Sequence, residues 1–242
     1  MTRSPLLWTT ALFVALLFGM PALAPLFEWG FPSVSPPVFS RSSFAALFLS
    51  HAGIVAVSSL AAAAIGIGAA VFVTRPAGRD FRAIAASLAT IGQTFPPAAV
   101  LALAVPALGF GPRPTIVALL LYGVLPILHN AIAGLEGVPE AAREAASGMG
   151  MTGWQRLRDV ELPLAAPVIL AGVRVSVTIG IATATIGSTV GALTLGTPIF
   201  DGLSGNKLPF VIQGAVLVAL FAIVTDMAFS RLERRLHAPG AE

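Results

Sequence analysis

The chain has 242 residues, 56% hydrophobic and only 10% charged, with a formal net charge of +3. A soluble domain carries about 25% charged residues, so this is the composition of an integral membrane protein. It contains no cysteine, which excludes disulfides and thiolate metal sites. Its cations sit at the ends of apolar runs rather than on one patch, which argues against a nucleic-acid partner.

Leu6 to Leu26 bears no charge and, at ~1.5 Å per residue, is long enough to cross the ~30 Å apolar core. A cleaved signal peptide is the alternative, with Arg3 in front and Ala22-Leu23-Ala24 as cleavage site; both readings leave the next segment outside. Glu28 to Arg41, rich in Pro and Ser, reads as an extended outer loop. A second span is expected from about Phe44 to Thr74, carrying only His51, which reads as interfacial near the outer face. Arg75, Arg79 and Arg82 then mark an inner turn. The third span, roughly Ile84 to Leu108, contains Gln93, Pro96, Pro97 and Pro106. Prolines free carbonyls that must find other partners, so a broken or kinked helix is expected. A short outer turn over Gly109 to Pro114 leads to a fourth span ending near Leu135, interrupted by Pro126 and bearing His129 and Asn130.

Glu136 to Pro163 is a charged island, with five of the eleven acidic residues and three of the fourteen basic ones. It must lie in water while its flanks cannot. Pro139 suits a helix start, Glu140 follows where the helix dipole favours an anion, and the helix should run to about Ser147. Gly148 and Gly150 offer the left-handed backbone that ends a helix, and Thr152 with Gln155 has the spacing of a capping box. On the first helix Ala141, Ala142, Ala145 and Ala146 are expected to form one smooth face, with Glu140, Arg143 and Glu144 pointing elsewhere. Such a narrow helix can sit deep in another protein's groove. A fifth span runs from Leu162 to about Leu195, long enough to tilt, bend or extend beyond the bilayer. Thr194 to Leu208 is an outer connection, and a sixth span runs from about Pro209 to Ser230.

With this order the inner segments hold Arg3, Arg75, Arg79, Arg82, Arg143, Arg156, Arg158, Arg231, Arg234 and Arg235, against Arg41, Arg113 and Lys207 outside. That bias places both termini and the island in the cytoplasm. No internal repeat is present.

Glu144-Ala145-Ala146, then Gly150, then nine residues to Val160, then Leu162-Pro163, resembles the EAA loop of bacterial ABC-importer permeases, with Val160 where Ile is usual. Glu140-Ala141-Ala142 lacks the glycine six positions on. The resemblance implies an all-α, polytopic, MetI-like permease fold of about six transmembrane helices. It is expected to be a single permease domain over 1–242, with 1–45 an additional span and outer loop and 46–235 the core. In that family the loop is a coupling helix docked in a cytoplasmic ATPase. The positions carried over are Glu140, Glu144, Ala145, Ala146, Gly150, Met151, Trp154, Leu162 and Pro163. The implied partners are an ABC ATPase dimer that binds ATP and Mg²⁺, a second permease subunit, identical or similar, and an extracytoplasmic solute-binding protein. The implied location is the bacterial inner membrane, and no cofactor belongs to this chain.

Further segments are similar to permeases for betaine, choline, carnitine and related osmoprotectants: Gln93 to Pro97, Gly109 to Pro112 with Ile116 to Leu119, Leu125 to Asn130 before Gly134-Leu135, and Ala171 to Arg174. Gly191-Ala192-Leu193-Thr194-Leu195-Gly196 departs from the more glycine-rich segment of those relatives, which keeps another small solute, such as an amino acid, as the alternative cargo.

Polar residues within spans need a partner or a water-lined cavity. Gln93, Pro96, Asn130, Arg174 and Asp226 are therefore candidates for the pathway or gate, although Gln93, His129 and Asn130 are read first as bonds between adjacent helices. Arg174 lies roughly 16 Å along a regular helix from Pro163. Its pairing with Asp226 is expected to hold the fifth and sixth spans, against a snorkelling Arg174 or an Asp226–Arg231 pair. Gly148 to Gly153 matches GxGxxG, but it follows a helix rather than a strand, so it carries no dinucleotide reading. The chain has no GxxxxGK[ST], HExxH or GxSxG, and His51, His129 and His237 lack ligand spacing. An intramembrane enzyme is disfavoured on this ground, and an ion-coupled carrier by the scarcity of carboxylates in the spans.

Overall fold

The computed structural model describes residues 5–236; Arg3 and His237 lie outside them. The described residues form helices α1 (Pro5–Gly19), α2 (Ala24–Gly30), α3 (Phe44–Val73), α4 (Arg82–Thr94), α5 (Pro97–Leu108) and α6 (Pro112–Glu136). After these come α7 (Glu140–Gly148), α8 (Gly153–Arg156), α9 (Leu162–Ile186), α10 (Thr197–Ser204) and α11 (Leu208–Leu236), and no strand occurs among the described residues. Five helical stretches are long and apolar enough to cross a membrane, or six if the broken pair α4 and α5 counts as one span. The break falls where Pro96-Pro97 predicts it: Phe95 leaves the helical region at φ −75°, ψ 135°, and Pro97 opens α5. The connection between α9 and α11 contains a further short helix, α10, which no apolar run marks.

The chain divides into two compact units. One comprises the residues up to Ser58, Pro96–Leu119 and Thr178–Ala228; the other comprises Ser59–Phe95, Leu120–Val177 and the chain from Phe229.

The first unit has an aromatic core built on Phe13, Leu17, Phe39, Phe44, Phe210 and Leu217. Phe48 meets both Phe13 and Phe221 edge to face with centroids 5.1 Å apart, the geometry favoured by ring quadrupoles. Two fully buried polar side chains hold its irregular backbone. Gln213 accepts from the Phe39 N–H at 3.0 Å and donates to the Pro37 carbonyl at 2.8 Å. His51 Nδ1 accepts from the Leu195 N–H at 3.3 Å, which leaves Nε2 to carry the proton and donate to the Ile181 carbonyl at 3.1 Å. His51 is thus a buried tie among three segments rather than an interfacial residue. Unpaired backbone groups are costly away from water, and these side chains supply their partners.

In the second unit an apolar core of Leu128, Ala131, Leu135, Ala165 and Ile169 joins α6 and α9 to the end of α3 at Ala70 and Val73. The helices approach closely at glycines, as membrane helices do where small residues face one another. A Cβ on Gly172 would stand 2.6 Å from Asn130 Cβ, and one on Gly123 would stand 2.6 Å from Ser176 Oγ. Pro126 cannot donate to the carbonyl of Tyr122 four residues back. Gln93 fills that vacancy, its Nε2 donating to the Tyr122 carbonyl at 2.6 Å.

Candidate functional site

The island folds as two short helices joined by a tight turn. Gly150 adopts φ +76°, and around it the Gly150 N–H bonds the Ser147 carbonyl at 3.0 Å while the Met151 N–H bonds the Ala146 carbonyl at 3.1 Å. This is a Schellman closure of α7 with Gly150 in the left-handed position. The capping box also forms: Gln155 N–H donates to Thr152 Oγ1 at 3.3 Å, and Thr152 N–H donates to Gln155 Oε1 at 2.8 Å. Leu157–Glu161 then forms a π-helical turn, with the Leu162 N–H bonding the Leu157 carbonyl, before α9 continues through Pro163.

The four alanines of α7 are not equally exposed. Ala146 is buried at 1% exposure and packs inward, Ala142 is half-buried, and Ala141 and Ala145 are exposed. Glu140 and Glu144 are exposed too, at the four-residue spacing that puts them beside Ala141 and Ala145. The outward surface is therefore acidic and small together, where the sequence reading separated the two properties. Met149 and Trp154, 70% and 67% exposed, flank it as large apolar side chains. Met151 and Leu162 are half-buried, and Pro163 is exposed.

A buried ionic knot seats this island. Glu161, 2% exposed, accepts from Arg75 Nη2 at a short contact and from Arg156 Nε at 3.1 Å, with Arg143 Nε at 4.0 Å. Arg143 also donates to the Leu135 carbonyl at 2.5 Å, and Arg156 donates to Ser147 Oγ at 2.9 Å. One carboxylate thus joins α7, α8, the start of α9 and the turn after α3. A buried charge persists only with such pairing. Sequence reasoning missed Glu161. Its signal was an acid directly before an apolar run, but the pairing partner Arg156 is five residues back, a separation that the π turn brings together and ordinary helical counting does not.

The candidate pathway residues are dispersed. Gln93 and Asn130 both bond backbone of α6, Asn130 Nδ2 donating to the Pro126 carbonyl at 2.8 Å. Pro96 caps α5. Arg174 donates to Glu233 Oε2 at 2.9 Å, an acid the sequence reading did not weigh. Asp226 precedes Glu233 by seven residues on α11, two turns along one face. Pro96 and Asp226 belong to the first unit, and Gln93, Asn130 and Arg174 to the second.

Residues 62–238 match the family model described as "Binding-protein-dependent transport system inner membrane component". The chain is 41% identical over 216 residues to the osmoprotectant import permease protein OsmY of Salmonella typhimurium, covering 88% of this chain and 90% of that protein. It is 44% identical over 152 residues to the glycine betaine/carnitine/choline transport system permease protein OpuCB of Bacillus subtilis, covering 63% and 70%. A chain of the inward-facing MetNI methionine ABC transporter superimposes with a TM-score of 0.68 at 21% identity, over 90% of this chain and 98% of that one, a likeness of fold.

Proposed function

The chain belongs to the binding-protein-dependent transport system inner membrane components, a multi-pass membrane transport subunit, and from that premise we propose that it carries a small osmoprotectant, of the glycine betaine, choline or carnitine class, inward at the expense of ATP hydrolysed by a partner. ATP and Mg²⁺ are bound by that ATPase dimer, since this chain has no phosphate loop. A second permease subunit completes the passage, and an extracytoplasmic binding protein selects the solute. The arginine distribution supports placing both termini and the island on the cytoplasmic side.

The observation that carries the reading is the island. It presents Glu140, Ala141, Glu144 and Ala145 outward, while the Glu161 knot ties its base to the ends of two apolar helices. A narrow acidic helix of this kind fits a groove with basic walls. Movement of that groove when the nucleotide domains close is passed through the knot rather than absorbed by a loose loop. Leu162 and Pro163 start the helix that receives it. Gln93, Pro96, Asn130, Arg174 and Asp226 are kept as individual pathway candidates, Gln93 and Asn130 also bonding carbonyls of the proline-interrupted α6. The cargo of the relatives named above supports the solute class; the departure at Leu193-Thr194-Leu195 supports a different small solute as the second reading.

Gly150→Val tests the coupling. A β-branched residue at positive φ costs on the order of 1–3 kcal/mol and opens the Schellman turn. In the reconstituted importer, ATP hydrolysis should persist while uptake falls. Full uptake in that variant would remove the coupling assignment.

A further inference from the structure

We propose that the second unit holds a binding site for a phosphate group, in a cavity of about 400 Å³ lined by the end of α3, the turn after it, the end of α6 and the island. Five arginines line it, Arg75, Arg79, Arg82, Arg143 and Arg156, against two carboxylates, those of Glu136 and Glu161. Five cations less two anions leaves an excess of three positive charges on the lining.

The two carboxylates are already committed. Glu136 is held by both arms of Arg82, with Arg82 Nη2 at 3.0 Å from Oε2, and Glu161 is shared among the other three paired arginines. Sharing leaves the guanidinium groups under-compensated: the Nε atoms of Arg75 and Arg143 are buried with no hydrogen-bond acceptor. Arg79 is exposed at the cavity, and its side chain makes no ion pair or hydrogen bond among the described residues. Cations gathered at this density repel one another unless an anion joins them.

Phosphate suits the lining better than a further carboxylate. It offers three or more acceptor oxygens and up to two negative charges to arginines that approach from separate segments, whereas a carboxylate offers two oxygens and one charge. The cavity also adjoins the ends of two apolar membrane-length helices, at Val73 and Glu136, the level at which lipid headgroups lie. The same chemistry is supplied by an anionic phospholipid headgroup or by free phosphate. Because Arg143 and Arg156 also seat the island, an occupant stiffens that seat. This consequence rests on the coupling reading; binding itself does not.

The test uses the purified full-length chain alone, so a negative result leaves the coupling reading standing. Thermal unfolding in neutral detergent is followed while dioleoylphosphatidylglycerol or dioleoylphosphatidylcholine is titrated, and separately with sodium phosphate, acetate or chloride at equal ionic strength. A phosphate-bearing probe should stabilise saturably, and Arg79→Gln should weaken its binding about tenfold, equivalent to ~1.4 kcal/mol. Arg113→Gln, an exposed cation outside the cavity, should leave binding unchanged. Phosphatidylglycerol acting without inorganic phosphate identifies a headgroup site, and inorganic phosphate acting by itself identifies a free-anion site; both support the proposal. Acetate as effective as phosphate would assign the cavity to carboxylates and overturn it. Absence of saturable binding, or binding that Arg79→Gln does not alter, would also overturn it.

Discussion

The two compact units solve the same problem, holding irregular chain against membrane-length helices, with different chemistry. In the first, neutral side chains bond backbone groups directly: His51 ties Leu195 to Ile181, and Gln213 ties Phe39 to Pro37, inside an aromatic core. In the second, the island is held by guanidinium–carboxylate contacts converging on Glu161. Neutral bonds in a dry interior are short-ranged and insensitive to salt, so they fix one geometry. A charged knot with an excess of arginines responds to whatever anions and partner charges reach it. The first arrangement suits a scaffold, and the second suits a joint that receives force.

This contrast can be broken at its strongest contact. Glu161→Ala leaves Arg75, Arg143 and Arg156 without their shared anion. Breaking a buried pair from one side costs about 3–5 kcal/mol, so unfolding in detergent should shift to markedly lower temperature and uptake should be lost. His51→Leu is the matching change in the first unit. It strands the buried Leu195 N–H, at a cost of about 1–3 kcal/mol, and its effect should be the same in low and high salt. The half-exposed pair of Arg82 with Glu136 should matter least. Arg82→Gln should cost under about 1 kcal/mol, and the difference from the parent chain should shrink as salt is raised. If His51→Leu proves salt-dependent while Arg82→Gln does not, the division between a neutral scaffold and a charged joint is wrong.

What the sequence made legible was local. The capping box of Thr152 and Gln155, the left-handed Gly150 and the break at Pro96-Pro97 depend on residues within a few positions of one another, where chain chemistry decides geometry. The apolar runs likewise marked their spans, because the bilayer leaves backbone few alternatives. The EAA spacing carried the family. The ties that hold the structure were not legible. Arg75 meets Glu161 across 86 positions and His51 meets Leu195 across 144, separations that no periodicity encodes. Which alanines of α7 stay in reach of a partner was not legible, because the four look equivalent in sequence and only packing decides that Ala146 is buried while Ala145 stays exposed. Gln93 could have been reasoned out, since Pro126 announces a free carbonyl at Tyr122, but which helix supplies the donor depends on tertiary structure.

The central claim is that the island docks on the nucleotide-hydrolysing partner from the cytoplasmic side. The chain has no cysteine of its own, so Ala145→Cys places one thiol on the exposed face of α7 against an empty background. In the assembled importer, a short bifunctional reagent should link that thiol to the ATPase, and a membrane-impermeant thiol reagent should reach it only from the cytoplasmic side. Labelling from the outer side, or no link to the ATPase under conditions where the complex turns over, would contradict the account.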